Sequence, residues 1–431
     1  MKIDLKSYPI WHPFSQMSEW AEMPKIIRAE GVWLYDEKGN KVMDAISSWW
    51  VNLHGHAHPH IAKRIKAQLD RFEHVIFAGF THDHAIELCE RLPKHLPQED
   101  WKFFFSDNGS TSIEVALKLA IQKYIQHDKV EKVTIIALEG AYHGDTFGAM
   151  SAGERGFFTD PFEQHLFDVK FIPSPTKENA AVCMKALQEA LGEHNVFVFE
   201  PLVQGAGGMI MHDKALLDDL LREAKKNKTI TIADEVMTGF GRTGTWFASN
   251  QLKHVPDMIC LSKGLTGGAL PMSLTVCKQW IYDVFLTEDL SLAFLHGHSF
   301  TGNPLACAAA CASLDLMEEK KTWGQIEMIS SMHREAAERM KDWGSVKSVR
   351  TCGTILAIQV ESDLEAGYMH PVRVRLYDAF MKQGMLIRPL GDVIYLLPPY
   401  VIKKEDLLWA YQMIEEVLYT EVESNLKADV H

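Results

Sequence analysis

No Cys-x-x-Cys pair occurs among the seven cysteines, and an odd number leaves no closed disulfide framework. Neither a stapled secreted scaffold nor a thiolate zinc site is therefore expected. Long apolar runs are missing too. No uninterrupted stretch approaches the ~20 residues needed to span a bilayer, and the opening Met1-Lys-Ile-Asp-Leu-Lys-Ser-Tyr8 lacks the apolar core of a signal segment; the expected location is the cytoplasm. Basic charge is scarce, with 44 Lys and Arg against 57 Asp and Glu for a net −13. Without a Lys/Arg tract to follow phosphates, nucleic acid and anionic membrane are not expected partners. There is no low-complexity linker and no internal repeat. What remains is a globular composition of 431 residues, 47% hydrophobic, long enough for two or three domains.

Strand and helix signals alternate from about Phe103 to Val276, the pattern of a doubly wound α/β domain. Before it, Gly31 to Met43 alternates and turns at Gly39-Asn40 like a hairpin, and helices are expected from Ile61 and from His82 to Leu92. After Gly302-Asn-Pro304 an alanine-rich helix begins, where Cys307 and Cys311 fall at i, i+4 as small packing residues. Ile355 to Val360 and Met385 to Leu397 then supply strands of a smaller α+β unit. The expected division is an N-terminal segment over 1–55 packing with the small domain, a large domain over 56–305 and a small domain over 306–431.

Four places carry chemistry. Met258 to Leu261 reads as a buried strand that delivers Lys263 into the glycine-rich turn Gly264-Leu-Thr-Gly-Gly268. An ammonium in poor solvent loses hydration, and desolvation lowers a lysine pKa by roughly 3–5 units, leaving a nucleophilic amine. Two further strands end in carboxylates, Glu200 and Asp234, at the edge where parallel sheets hold ligands. Asp234 follows an apolar run, so it is expected to be partly buried and to need a cationic partner. An aromatic strand breaks at Asn108-Gly109 and a helix starts at once, so Gly109, Ser110 and Thr111 offer N–H groups and hydroxyls suited to a phosphate, or serve as N-caps. Tyr142 stands at another strand's edge, where its ring could cover a planar ligand. Elsewhere, Trp49 and Trp50 are adjacent, so on a regular element at least one points away from the other. Arg388 lies in an apolar run and is expected to meet a carboxylate of the protein or of a substrate. His54, His56, His58 and His60 alternate, but Gly55 and Pro59 break any regular face, and no metal is assigned.

The ordered motifs Ser106-Asp-Asn-Gly-Ser110, Tyr142-His-Gly-Asp145, Glu200-Pro-Leu-Val-Gln-Gly205, Asp234-Glu-Val-Met-Thr-Gly-Phe-Gly-Arg-Thr-Gly244 and Ser262-Lys-Gly264 resemble the class III, fold-type I, pyridoxal-phosphate-dependent aminotransferases across nearly the whole length. The resemblance implies a large doubly wound α/β domain with a smaller α+β domain, pyridoxal 5'-phosphate as cofactor, and a homodimer. Carried over, Lys263, Asp234 and Tyr142 form the catalytic set: Lys263 as Schiff-base lysine, Asp234 as partner of the pyridinium, Tyr142 stacked on the ring. Gly109 and Ser110 would hold the phosphate, with Ser299 reaching it from the other subunit.

Within the class, Trp11-His-Pro-Phe14, Ser47-Ser-Trp-Trp50, His296 to Pro304 and Arg388 to Pro399 resemble members that aminate 8-amino-7-oxononanoate to 7,8-diaminononanoate. That assigns Trp49, Trp50, Tyr142, Lys263, Gly297, Arg388 and Tyr395 to substrate binding. Donors in such enzymes are S-adenosylmethionine or lysine; the flat faces of Trp49, Trp50 and Tyr395 favour the sulfonium and adenine of the first. Two positions depart from the common pattern: Phe14 stands where many members carry tyrosine, and His298-Ser299 where many have Pro-Thr.

Overall fold

The computed structural model describes residues 4, 7–19, 22–98, 100–362, 367 and 369–423; the outer limits of the expected first and last segments, residues 1 and 431, lie outside that set. Seven strands form the central sheet: β1 (Trp101–Ser106), β2 (Thr134–Leu138), β3 (Lys170–Ile172), β4 (Asn195–Phe199), β5 (Ile230–Asp234), β6 (Met258–Leu261) and β7 (Ser273–Lys278). Their spatial order is β1-β7-β6-β5-β4-β2-β3. Every residue of β4, β5 and β6 is buried, as expected of strands covered by helices on both faces. One strand breaks the parallel pattern: β7 runs antiparallel to both β6 and β1. Between Leu261 and Ser273 the chain holds only the short 3-10 turn Lys263–Thr266. That is no crossover helix, so the chain reverses beside the strand it has just left.

Helix α1 (Gly109–Gln122) follows β1 directly and α2 (Lys214–Lys226) precedes β5. The apolar side of α2, including Leu216, Leu217, Leu220 and Leu221, is buried in the largest core cluster. The alanine-rich helix α3 (Pro304–Met317) is buried along nearly its whole length, and Asn303 caps its start by accepting from Leu305 and Ala306 N–H.

A second sheet joins distant parts of the chain. Ile26–Glu30, Trp33–Asp36 and Lys41–Asp44 form an antiparallel meander, and Met385–Leu386 adds to it in parallel beside Lys41–Asp44. The run from Met385 to Leu397 is thus split, since Val393–Leu396 instead pairs with Ile355–Val360 in a three-stranded sheet. Leu397 N–H donates to the Ala45 carbonyl and Tyr400 N–H to the Leu53 carbonyl, so the segment before the first long helix lies against residues 385–400.

Candidate active site

The C-terminal ends of β1, β2, β4, β5 and β6 open into one cavity of about 1170 Å³. Parallel sheets place ligands at this edge because helix N-termini and loops converge there. Asp234 ends β5, is 5% exposed, and lines the cavity. One of its oxygens accepts from Val236 N–H (3.0 Å) and the other faces His143 Nδ1 at 2.8 Å. The partner that this buried carboxylate finds is therefore His143. Burial works against the imidazolium, but the hydrogen bond and charge of Asp234 outweigh it, and the His143 pKa is raised. Sequence reasoning missed this residue: the need for a cation was legible, but nothing in spacing distinguished one histidine among 20.

Glu200 directly follows β4 and ties two loops together, its carboxylate accepting from Tyr142 N–H (3.1 Å) and Gly205 N–H (2.8 Å). Burial, seconded by the charge of Asp234, raises its pKa, although His143 and the two N–H donors oppose that. Lys263, two residues past β6 at the start of the Lys263–Thr266 turn, has a φ of +44°, a left-handed conformation that L-residues adopt at a cost and that clusters at functional sites. Burial lowers its pKa, Asp234 and Glu200 pull the other way, and Arg242 adds to the lowering. The ammonium nitrogen lies 4.6 Å from the centre of the Trp50 ring.

At the opposite rim, α1 begins with a capping box in which Asn108 Oδ1 accepts from Thr111 N–H (3.1 Å) and Thr111 Oγ1 accepts from Asn108 N–H (3.2 Å). Thr111 is consumed by the cap, so the phosphate-type N–H groups of this helix start are those of Gly109 and Ser110, which have no intrahelical acceptor. A Cβ on Gly144 would sit 1.9 Å from Ser110 Oγ and a Cβ on Gly109 would meet Val236 at 2.8 Å; the glycines keep this cradle open. Tyr142, 37% exposed, lines the cavity between cradle and floor. A buried carboxylate for a ring nitrogen, an amine of lowered pKa, a flat tyrosine and an open helix start fit pyridoxal phosphate.

The remaining wall is built on an irregular element. Trp49 and Trp50 both line the cavity, because Ser47–Trp50 is neither a strand nor a right-handed helix. Four successive residues have positive φ, at 53°, 46°, 67° and 74°, forming a left-handed turn. At roughly 1–2 kcal/mol per L-residue such a turn forms only where its surroundings dictate it. Trp50 Nε1 donates to Tyr395 OH (3.0 Å), and the Arg388 guanidinium lies 4.9 Å from the centre of the Trp49 ring. Arg388 meets no carboxylate among the described residues. It donates to the Phe14 carbonyl (2.9 Å), and its buried Nε has no partner. Phe14 also stacks edge-on against Trp49, with centroids 5.2 Å apart, so the backbone and not the ring of this residue serves Arg388.

Gly109, Ser110, Tyr142, Asp234, Lys263, Trp49, Trp50, Arg388 and Tyr395 are thus brought together. Gly297 and Ser299 are not; both are exposed on the loop before α3, outside this chain's cavity. The alternating histidines disperse: His54 meets Ser313 Oγ (3.0 Å), His56 meets Asp44 (2.9 Å), His60 meets Asp315 (2.7 Å), and His58 caps the helix Pro59–Leu69. The group with metal-ligand proximity among the described residues is His84, Glu87 and Cys311, where Arg64 and Arg91 already neutralise Glu87.

Comparison with known proteins places this geometry. The class-III aminotransferase family profile matches residues 17–418. The adenosylmethionine-8-amino-7-oxononanoate aminotransferase of Synechococcus elongatus is 44% identical over 425 residues, 96% of this chain and 99% of the relative. The crystal structure of the enzyme of that name from Methanocaldococcus jannaschii aligns with a TM-score of 0.87 at 33% identity, over 95% of this chain and 96% of that one. A PLP-bound amine transaminase from an uncultivated Pseudomonas species aligns with a TM-score of 0.86 at 27% identity, over 97% and 99%.

Proposed function

The chain belongs to the class-III, pyridoxal-phosphate-dependent aminotransferases, and from that premise we propose that it moves an amino group from S-adenosylmethionine to 8-amino-7-oxononanoate, giving 7,8-diaminononanoate for biotin synthesis. The observation that carries the acceptor is Arg388: a guanidinium with an unpartnered buried Nε, free of carboxylates among the described residues, at a cavity walled by indoles and also lined by Lys263. The acceptor carries a carboxylate at one end of an apolar chain and its ketone toward the other, and a planar fork suits that carboxylate. Full-length likeness to the Synechococcus elongatus relative supports the same assignment.

Bound pyridoxal phosphate supplies the electrophilic carbon and the electron-withdrawing ring. Asp234, oriented by Val236 N–H and His143, would accept from the protonated ring nitrogen. Gly109 and Ser110 N–H groups would hold the phosphate, and Tyr142, which lines the same cavity, would lie against the ring. Lys263, its pKa lowered by burial, would take the proton from the donor's α-carbon as a base and hand it to the cofactor in the first half-reaction, and in the second would take a proton back from the cofactor and deliver one to the acceptor's former carbonyl carbon as an acid. Two half-reactions share one lysine and one cavity, so kinetics are ping-pong. The hydroxyl absent at Phe14 removes a polar contact of about 0.5–1.5 kcal/mol, a smaller quantity than the aromatic faces retained. The test is a single turnover with each donor alone: S-adenosylmethionine is expected to convert the holoenzyme's cofactor to its amino form, which then aminates 8-amino-7-oxononanoate. Conversion by lysine and not by S-adenosylmethionine would overturn the donor; failure of the keto acid to be consumed would overturn the acceptor.

Gly205 gives the pocket assignment a second check. A Cβ there would lie 3.0 Å from Trp50 Cζ3 and 3.1 Å from Met237 Cε, so Gly205→Ala presses Trp50 toward the substrate. Overpacking costs about 1–3 kcal/mol, and the KM for the keto acid is expected to rise about tenfold with cofactor affinity unchanged. An unaltered KM would remove Trp50 from the substrate wall.

The same proposal includes a homodimer acting in the cytoplasm. Gly297 and Ser299 are exposed beside Leu295 (72% exposed) and Phe300 (64%), apolar surface of the kind a partner covers, and Ser299 would then reach the other subunit's phosphate cradle. No helix among the described residues is long and apolar enough to cross a membrane. Division at residues 55 and 305 is kept within the proposal, the pairing of Lys41–Asp44 with Met385–Leu386 supporting a first segment packed with the last.

A further inference from the structure

We propose that Asp44 is a positioning residue for substrate recognition, acting through the left-handed Ser47–Trp50 turn and touching no ligand itself. The inference rests on the reading of Trp49 and Trp50 as substrate walls and deepens it. Asp44 is fully buried and does not line the cavity. Its carboxylate nevertheless has four donors. Oδ1 accepts from Ser48 N–H (2.9 Å) and Ile46 N–H (3.3 Å), and Oδ2 from Ser48 Oγ (2.7 Å) and His56 Nε2 (2.9 Å). Asn52 Nδ2 reaches His56 Nδ1 at 3.2 Å, which assigns the acceptor role to that nitrogen and the proton to Nε2. Asn52 N–H in turn donates to the Ser47 carbonyl (3.0 Å). Asp44, His56, Asn52 and Ser47 therefore close a circuit around the turn.

The two ends of the turn are held by opposite charges. Asp44 collects N–H groups at its start; at its end the fully buried Arg242 donates from Nη2 to the Trp50 and Asn52 carbonyls (3.2 and 3.3 Å) and from Nη1 to the Pro398 carbonyl (3.0 Å). Ser48 and Trp49 sit at φ, ψ of 46°, 56° and 67°, 45°, conformations that glycine adopts without penalty and serine and tryptophan do not. Intrinsic preference thus opposes the turn, and the N–H of Ser48, the residue with φ +46°, is the one that Asp44 accepts at the shorter of its two N–H contacts. A neutral side chain of the same shape keeps the volume and can still accept from the Ser48 and Ile46 N–H groups, but it turns its N–H₂ group toward Ser48 Oγ and His56 Nε2, so the turn loses the charge-assisted part of its anchor while the residues of the helix-start cradle stay in place.

The test compares holoenzymes of the wild type, Asp44→Asn, Ser48→Gly and the double variant. Loss of charge-assisted hydrogen bonds in a buried site is expected to raise the KM for the keto acid about tenfold or more in Asp44→Asn, with kcat within about threefold. Ser48→Gly in the same chain is expected to restore most of that KM, because glycine removes the left-handed penalty from the unanchored turn. Near-ultraviolet circular dichroism gives a substrate-independent readout: the tryptophan bands are expected to weaken in Asp44→Asn and to return in the double variant. An inactive wild type on this acceptor would sink the acceptor assignment, and the dichroism then decides on the turn. Unchanged tryptophan bands in Asp44→Asn, or a joint fall of kcat and of stability that Ser48→Gly does not reverse, would overturn the positioning role.

Discussion

Lys263→Ala is expected to leave a folded protein with turnover reduced by at least about 10⁴-fold, since one side chain both anchors the cofactor and moves the proton. Borohydride reduction of the wild-type holoenzyme is expected to fix cofactor mass on the peptide containing Lys263, and reduction of the variant to fix none. Cofactor trapped covalently in Lys263→Ala would show that another residue is the anchor. The backbone supplies an independent readout on the cofactor-free protein. Lys263 holds a φ of +44°, so Lys263→Gly is expected to resist denaturant better than Lys263→Ala by roughly 1–2 kcal/mol, the left-handed penalty for an L-residue. Equal stability of the two would mean that the turn after β6 stores no strain.

Asp234→Asn is the second large effect, with activity expected to fall on the order of 10²-fold or more, as when a preorganised electrostatic group is removed from the reacting centre. The amide still accepts from Val236 N–H, but it cannot stabilise a protonated ring nitrogen, and it leaves His143 without its anion. The second consequence is visible without cofactor. His143 has a folded pKa raised above its unfolded value of about 6.5. Its contribution to stability is therefore complete below about pH 6.5 and is lost as pH rises through the raised folded value. In Asp234→Asn burial, which disfavours the charged ring, is opposed only by the charge of Glu200, so acidification is expected to destabilise the variant relative to the wild type. The wild-type advantage in denaturant stability over the variant should grow as pH falls from ~9 to ~6. An advantage independent of pH would mean that His143 stays neutral beside Asp234.

The sequence made the sheet strands readable because burial on both faces writes them as short apolar runs: Met258–Leu261 and Ile355–Val360 stand where the pattern places them. Chemistry at strand ends was readable for the same reason, as Asp234 and Lys263 each interrupt such a run. What did not show was whatever depends on a tertiary partner. The direction of β7 follows from the lack of a crossover helix after Leu261, and the split of residues 385–397 between two sheets follows from which edges were open. His143 was one histidine among many until Asp234 was seen 2.8 Å away. The left-handed Ser47–Trp50 turn contradicts the local preferences of its own residues, so no reading of propensity reaches it; its stabilisers, Asp44 and Arg242, lie outside it in sequence. Arg388 was read as a cation awaiting a carboxylate, and among the described residues it awaits one still.

The parallel pairing of Lys41–Asp44 with Met385–Leu386 carries a consequence for synthesis. Trp50 bonds Tyr395 across 345 positions and Ser47 bonds the Leu397 carbonyl across 350. A ribosome adding ~5–20 residues per second finishes the second half of this wall about 20–70 s after the first has been made. During that interval the indoles of the nascent chain have no Tyr395 to meet, and their turn lacks part of its support. Contacts of such separation close late because the loop entropy between them falls due before any of them forms. The Trp50–Tyr395 side of the cavity is thus among the last parts of the molecule to be assembled.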